Sequence, residues 1–363
     1  MKLKIGSILP VLAVAVVLLA LMLAVAACGD DEGTADTGAS PPATTELNIY
    51  AWAAEIPESI IKDFEAETGV KVTFDTYDSN EAMVTKLQSG ATGYDLVNPS
   101  QYAVQQLAGL ELIQELDHSM LPSLGNVPEE FQQAEYDPGN KWSVPILWGT
   151  TAMAYNSKYI EEELTSWNAL ADEKYKGKIM MLDNMLAAYI PALQVNGYDA
   201  GSTVESEVDV ATQWLMDQKP LLQGYNATNN AQLLAQGQVW VELAWNSQIV
   251  PLMDEYPELV WVLPEEGFSF WTDSLSITKD AKNVANAYKF IEYLLQPEVA
   301  AKMCEESGVA VPNTPMMELL PEEVANNPAM FVPAEDMERA DVILDPEGAT
   351  QAYQEGWTKV RAE

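Results

Sequence analysis

From Leu47 onward, short runs of strand-forming residues alternate with segments of helical period, and this alternation restricts the fold more than any other feature of the chain. Leu47-Asn48-Ile49-Tyr50-Ala51-Trp52 reads as a buried strand. A helix over 57–68 places Ile60, Ile61 and Phe64 on one face and ends at Gly69, a residue type suited to a left-handed stop. Val70-Lys71-Val72-Thr73-Phe74 alternates as a second strand. Ser79 or Asn80 then caps a helix carrying Met83, Val84 and Leu87, which Gly90 terminates. Tyr94-Asp95-Leu96-Val97 gives a third strand and 101–108 a short helix. A β-α-β-α-β run of this kind builds a parallel sheet within an α/β lobe.

The later chain continues the pattern. Strands are expected over 179–182, 239–244 and 274–277, and helices over 209–217, 248–256, 281–295 and 297–306, with a last helical stretch near 353–360. About 318 residues lie between Glu46 and Glu363, more than one ordinary domain, so two lobes of roughly 100–200 residues are expected. With 48% hydrophobic residues there is material for two cores.

In open parallel sheets, ligands bind beyond the carboxyl ends of the strands, where the following loops converge. Trp52, Ser100 and Trp245 fall at such ends, and Trp271 and Asp273 lie just before a later strand. Each tryptophan taken singly is also a good core residue. Their common placement is what suggests a site.

The N-terminus bears on compartment. Lys2 and Lys4 precede an apolar run over 5–27, which closes on Val25-Ala26-Ala27-Cys28 and is followed at once by acidic residues. The order resembles a lipoprotein signal peptide (1–27) with Cys28 as the lipidated residue, although a retained transmembrane helix also fits the length of the run. Both readings put the remainder outside the cytoplasm. Residues 28–46 are small, polar and acidic, the composition of a flexible tether.

Charge and residue counts exclude several classes. The formal net charge is −37, and becomes more negative if Lys2 and Lys4 leave with the signal peptide. Such a surface repels nucleic acid, so no nucleic-acid partner is expected. His118 is the only histidine, which leaves Ser-His-Asp, Cys-His and histidine-based zinc chemistry without material. With Cys28 lipidated, Cys304 is alone, and its helical setting suggests a buried, inert thiol. No nucleotide-binding glycine motif is present, and no cofactor and no metal are expected.

At the level of motifs the chain resembles the spermidine/putrescine-binding proteins of ABC importers. The resemblance is carried by Tyr50-Ala51-Trp52, the stretch from Phe64 to Val72, and the stretch from Tyr77 to Met83. It continues through Tyr94 to Ser100, Leu147-Trp148-Gly149-Thr150-Thr151, Trp245-Asn246 and the stretch from Phe270 to Leu275. It implies an α/β fold of the two-lobed periplasmic-binding-protein type (type II). Each lobe is then a mostly parallel sheet flanked by helices, with the ligand cleft between lobes and two strands crossing between them. Laid on this chain, lobe 1 comprises 47–148 and 272–320, and lobe 2 comprises 149–271 and 321–363, with hinges near Trp148-Gly149 and within 271–276.

The resemblance further implies the site. Trp52, Tyr102, Trp245 and Trp271 would wall an alkylamine, Ser100 would supply a polar contact, and Asp273 would accept hydrogen bonds from an ammonium. A tryptophan face stabilises a nearby cation by roughly 0.5–2 kcal/mol and also covers methylenes. The chain departs from the family's pattern where a further aspartate and glutamate are expected: those positions are Asn184 and Ala187, with Asp183 one residue earlier. A first-loop tyrosine is replaced by Glu55, and a later one by Val309. One acidic pole is kept, and Glu55 or Asp183 is left as the candidate for the other, unless the ligand has a single cationic end.

The implied function is that of an extracytoplasmic binding subunit that captures a polyamine and passes it to ABC permease subunits, acting as a monomer held to the cell membrane through Cys28. A ligand sensor would need the same cleft. A secreted hydrolase using a carboxylate pair is the third class, and no pair of acids stands out in the sequence to serve it.

Overall fold

The computed structural model describes residues 45–362 apart from 54, 91, 92 and 347, so the expected signal peptide, Cys28 and all but the end of the tether lie outside the described residues. β1 (Glu46–Trp52) sends Leu47, Ile49 and Ala51 to one face and Tyr50 and Trp52 to the other, as the two-residue period of a strand requires. α1 (Glu58–Thr68) covers the first face with Ile60 and Phe64. It stops at Gly69, where φ is +72° and the N–H bonds back to Glu65 O. A residue with a side chain held there would cost roughly 1–2 kcal/mol.

β2 (Lys71–Tyr77) pairs parallel to β1. α2 (Asn80–Gln88) starts at Ser79, whose Oγ accepts from Ala82 N at 3.1 Å and satisfies one of the free donors of the first turn. β3 (Leu96–Val97) joins the other edge of β1, again parallel, and α3 (Gln101–Gly109) follows. The first three strands thus form the parallel group that the sequence pattern requires.

The short α4 (Glu129–Gln132) precedes β4 (Val144–Asn156), a strand of 13 residues buried along almost its whole length. Next come β5 (Ile179–Met181), α5 (Met185–Gln194), α6 (Glu205–Gln218), β6 (Leu222–Tyr225) and α7 (Asn230–Ala235). They are followed by β7 (Val241–Trp245), α8 (Asn246–Met253), β8 (Leu259–Val262) and β9 (Phe268–Ile277). The chain ends through α9 (Val284–Leu294), α10 (Pro297–Ser307), α11 (Glu322–Ala325), α12 (Ala334–Met337), β10 (Ala340–Val342) and α13 (Thr350–Ala362).

The strands run in the order β2-β1-β3-β9-β4-β7-β5-β6, with β8 on β4 and β10 on β9. β7, β5 and β6 form a second parallel group. Between the two groups stand β9 and β4, antiparallel to each other and to their outer neighbours β3 and β7. Trp271 and Asp273 therefore lie inside a strand, not ahead of one. β9 begins at Phe268, six residues before the stretch that reads as a strand in the sequence. β4 does not alternate polar with apolar, and in β9 the adjacent Phe270 and Trp271 break the alternation, because a central strand covered on both faces has no reason to keep it.

Three clusters of buried side chains hold the sheet. One packs Leu47, Ile49, Phe64, Leu96, Phe290 and Ile291 together with Cys304. Burial pushes the Cys304 thiol up to about 12, which keeps it protonated and unreactive. A second gathers Trp167, Tyr189, Leu193, Leu215 and Tyr353, with the tyrosine hydroxyls satisfied by Thr212 Oγ1 (2.6 Å) and Ser202 O (2.8 Å). A smaller one surrounds Met180, Leu234 and Ile249. Among the described residues no helix is long and apolar enough to cross a membrane.

Candidate ligand-binding site

The three parallel strand ends that carry Trp52, Ser100 and Trp245 meet β9 at one cavity of about 120 Å³. Trp52 closes β1, on the face opposite the core packed by α1, and leans on Tyr77 with ring centroids 4.7 Å apart. Trp245 closes β7 opposite Thr151 of β4. Trp271 lies opposite Gly149 of β4, and this pairing explains the glycine: a Cβ there would sit 2.3 Å from Asn246 Oδ1 and 2.4 Å from Trp271 Cζ2. Only a residue without a side chain lets the indole lie across the strand.

Ser100, at the start of α3, is held to β9 by an isolated antiparallel bridge with Asp273. Its Oγ donates to Asp273 Oδ1 at 2.5 Å. Asn80 supports the same corner, accepting from Ser100 N at 3.3 Å and donating to Tyr102 Oη at 2.9 Å. Gln101 ties the cavity floor together: its Oε1 accepts from Thr272 N at 3.1 Å and its Nε2 donates to Ile343 O at 3.1 Å.

The dominant electrostatic feature is a pair of carboxyls. Asp273 is 4% exposed, and the Glu55 carboxyl lies against it, with Oε2 sealed from water and without a hydrogen-bond partner. Burial is the main reason that Asp273 is pushed up to about 6, with the Ser100 hydroxyl opposing the shift. Glu55 is raised well above the usual carboxylate range, first by burial and then by the neighbouring Asp273. Among the described residues no Lys, Arg or His lines the cavity. Two carboxyls in contact with no cation beside them oppose each other's ionisation, so both hold their protons to higher pH than free carboxyls do. Burial likewise raises the Tyr77 and Tyr102 hydroxyls, keeping both rings neutral.

Of the residues expected at a site, Trp52, Glu55, Ser100, Tyr102, Asn184, Trp245, Trp271 and Asp273 line this one cavity. Asn184 does so while capping α5, its Oδ1 accepting from Ala187 N at 3.0 Å. Asp183 is elsewhere. It faces a wider outer chamber of about 850 Å³, where Arg361 Nη2 donates to its Oδ2 at 3.1 Å. Val309 also lines that chamber and not the inner cavity. Sequence reasoning missed Asn80, Gln101, Thr151, Leu186, Ile190, Ser247, Ser269 and Ile343 as lining residues. The adjacency of Gln101 to Ser100 could have flagged it. Ile343 comes in from the distant C-terminal segment, and no local pattern marks it. Among the described residues no group of three or more His, Cys, Asp or Glu side chains is placed to hold a metal ion.

The family model for bacterial extracellular solute-binding proteins matches residues 59–332, most of the described chain and most of the cavity lining. The chain belongs to this family. The spermidine/putrescine-binding periplasmic protein of Salmonella typhimurium is 35% identical over 320 residues, covering 87% of this chain and 91% of that one. The putrescine-binding periplasmic protein of Escherichia coli K12 is 30% identical over 338 residues, covering 87% and 91%. Among solved structures, a putative spermidine/putrescine ABC transporter from Listeria monocytogenes superimposes with a TM-score of 0.83 at 31% identity, covering 88% of this chain and 99% of that one. The fold is thus that of periplasmic binding proteins, and the family is one of extracellular solute-binding components.

Proposed function

We propose that this chain captures a protonated amine of the polyamine class in the cavity between its two parallel strand groups and delivers it to an ABC permease. The observation that carries the reading is the buried Glu55–Asp273 pair, which has no cation of the protein's own beside it among the described residues and is walled by three indoles and Tyr102. A carboxylate adds a charge-assisted hydrogen bond to an ammonium and rejects anions. Indole faces add cation–π attraction and cover the methylenes. Relatives bearing the names spermidine/putrescine-binding and putrescine-binding lend support.

The two parallel groups serve as lobes 47–148 with 272–320 and 149–271 with 321–363, which close on the ligand about β4 and β9. The mature chain acts as a monomer, tethered outside the cytoplasm by lipid on Cys28. Titration calorimetry with putrescine, spermidine, spermine and agmatine tests the reading, and at least one amine should bind. Asp273→Asn should weaken that amine by roughly 10- to 100-fold, since a hydrogen bond to a charged group contributes about 1.5–3 kcal/mol. Silence from every one of these amines, and from amines with a single cationic end, would refute amine capture. Small-angle scattering of the saturated protein should show compaction, and an unchanged radius of gyration would refute closure.

A further inference from the structure

The cavity is chemically lopsided. Among the described residues its only carboxyls, Glu55 and Asp273, touch each other, so they form one anionic pole and not two. Away from that pole, α5 presents Leu186, Ala187 and Ile190, which share one helix face by their spacing, and Ile343 joins them. The polar groups here are the neutral side chains of Asn184, Thr151 and Ser269. The ammoniums of an extended four-carbon diamine stand roughly 6 Å apart by bond geometry. Gripping one at the carboxyl pair leaves the other desolvated against apolar and neutral walls, which is strongly unfavourable.

The outer chamber does not supply the missing pole. It opens onto the inner cavity through Trp52, Glu55, Trp245 and Ser247. Its acids are already engaged or exposed. Asp183 is met by Arg361 at 3.1 Å, and the same guanidinium lies 4.8 Å from the Tyr225 ring and 5.7 Å from that of Trp357. A carboxylate with two aromatic rings is a cation site, and the chain fills it with its own arginine. Glu306 has Lys302 at 3.6 Å. Asp78 is exposed to solvent, where screening weakens its pull.

Resting on the amine reading above, we infer that this site selects amines with a single cationic end, the distal end being neutral: an N-acylated diamine or an alkylamine in preference to the free diamine. The Glu55–Asp273 pole takes the ammonium, and the α5 face with Ile343 takes the neutral end.

The test is calorimetry on the mature chain with three ligands of one carbon length: putrescine, n-butylamine and N-acetylputrescine. N-acetylputrescine, n-butylamine or both should bind at least tenfold tighter than putrescine. Putrescine binding as tightly as both, or more tightly, overturns the inference while leaving amine capture standing. Silence from all three and from the longer amines overturns amine capture itself, and this inference with it. Ala187→Glu, with Ala187→Gln as the neutral control of equal size, places an acid at the neutral end and should move the preference at least tenfold toward putrescine. Thermal melts establish that both variants fold, and if Ala187→Glu does not, the wild-type ranking alone decides.

Discussion

Binding at the Glu55–Asp273 pair should release a proton, and the affinity should therefore depend on pH in a defined direction. In the free protein burial and mutual repulsion disfavour the doubly ionised state of the two carboxyls. A bound ammonium supplies the missing counter-charge, so ionisation becomes favourable and the proton leaves. Asp273 at about 6 lies about two units above its ordinary value of 3.8. At about 1.4 kcal/mol per unit this is about 3 kcal/mol by which the site disfavours the ionised carboxyl relative to water, and the residue is too buried for solvent screening to reduce it much. Proton competition at a group titrating near 6 weakens binding about tenfold at pH 5 relative to pH 8, and Glu55, also raised, adds to this. Calorimetry across pH 5–8 reads the affinity, and repeating it in buffers of different ionisation enthalpy counts the protons released. Asp273→Asn should flatten much of the profile as well as lower the plateau. A wild-type affinity that is flat over this range, with heats independent of buffer, would refute proton competition at this pair.

Three further outcomes follow from the geometry. Gly149→Ala should destabilise the fold by about 1–3 kcal/mol through overpacking and should weaken amine binding, because the new methyl displaces Trp271 and Asn246; wild-type values for both in denaturation and calorimetry would be inconsistent with the observed contacts. Glu242 on β7, fully buried with Asn230 Nδ2 donating at 3.2 Å and Oε2 without a partner, is pushed up to about 8 by burial. Its favourable contribution is complete below its unfolded value near 4.5 and is lost as the pH rises through 8, so Glu242→Gln should be more stable than wild type by about 3 kcal/mol at pH 7 and nearly equal at pH 4; a difference independent of pH in denaturant titrations would contradict this. Trp271→Ala should lower amine affinity by roughly 2- to 30-fold, the range expected for one cation–π face, and unchanged calorimetric affinity would remove Trp271 from the site.

What could be read from the sequence was what local signals encode. The β1-α1-β2-α2-β3 run, the stop at Gly69 and the cap at Ser79 depend on neighbours within a few residues, and the structure has all of them. β4 left no such trace, and in β9 it breaks at the adjacent Phe270 and Trp271, since strands buried on both faces lose the alternation that betrays a half-exposed one. The partner of Asp183 was equally hidden, because Arg361 lies 178 residues away and only the packing of α13 brings it close. Glu55 stood out in the sequence as a departure from a pattern. Its apposition to Asp273 required the first-loop backbone and β9 to be placed in space.

β9 hydrogen-bonds β3 near its end, β4 along most of its length and β10 at its start, while its middle carries Trp271 and Asp273. Chemistry and mechanical continuity therefore reside in the same ten-residue segment. Changes to Trp271 or Asp273 disturb the span that unites both halves, whereas changes on α5 or at position 343 do not. Descendants of such a protein can explore new ligands most freely from those peripheral walls, with the anionic anchor on the central strand held constant.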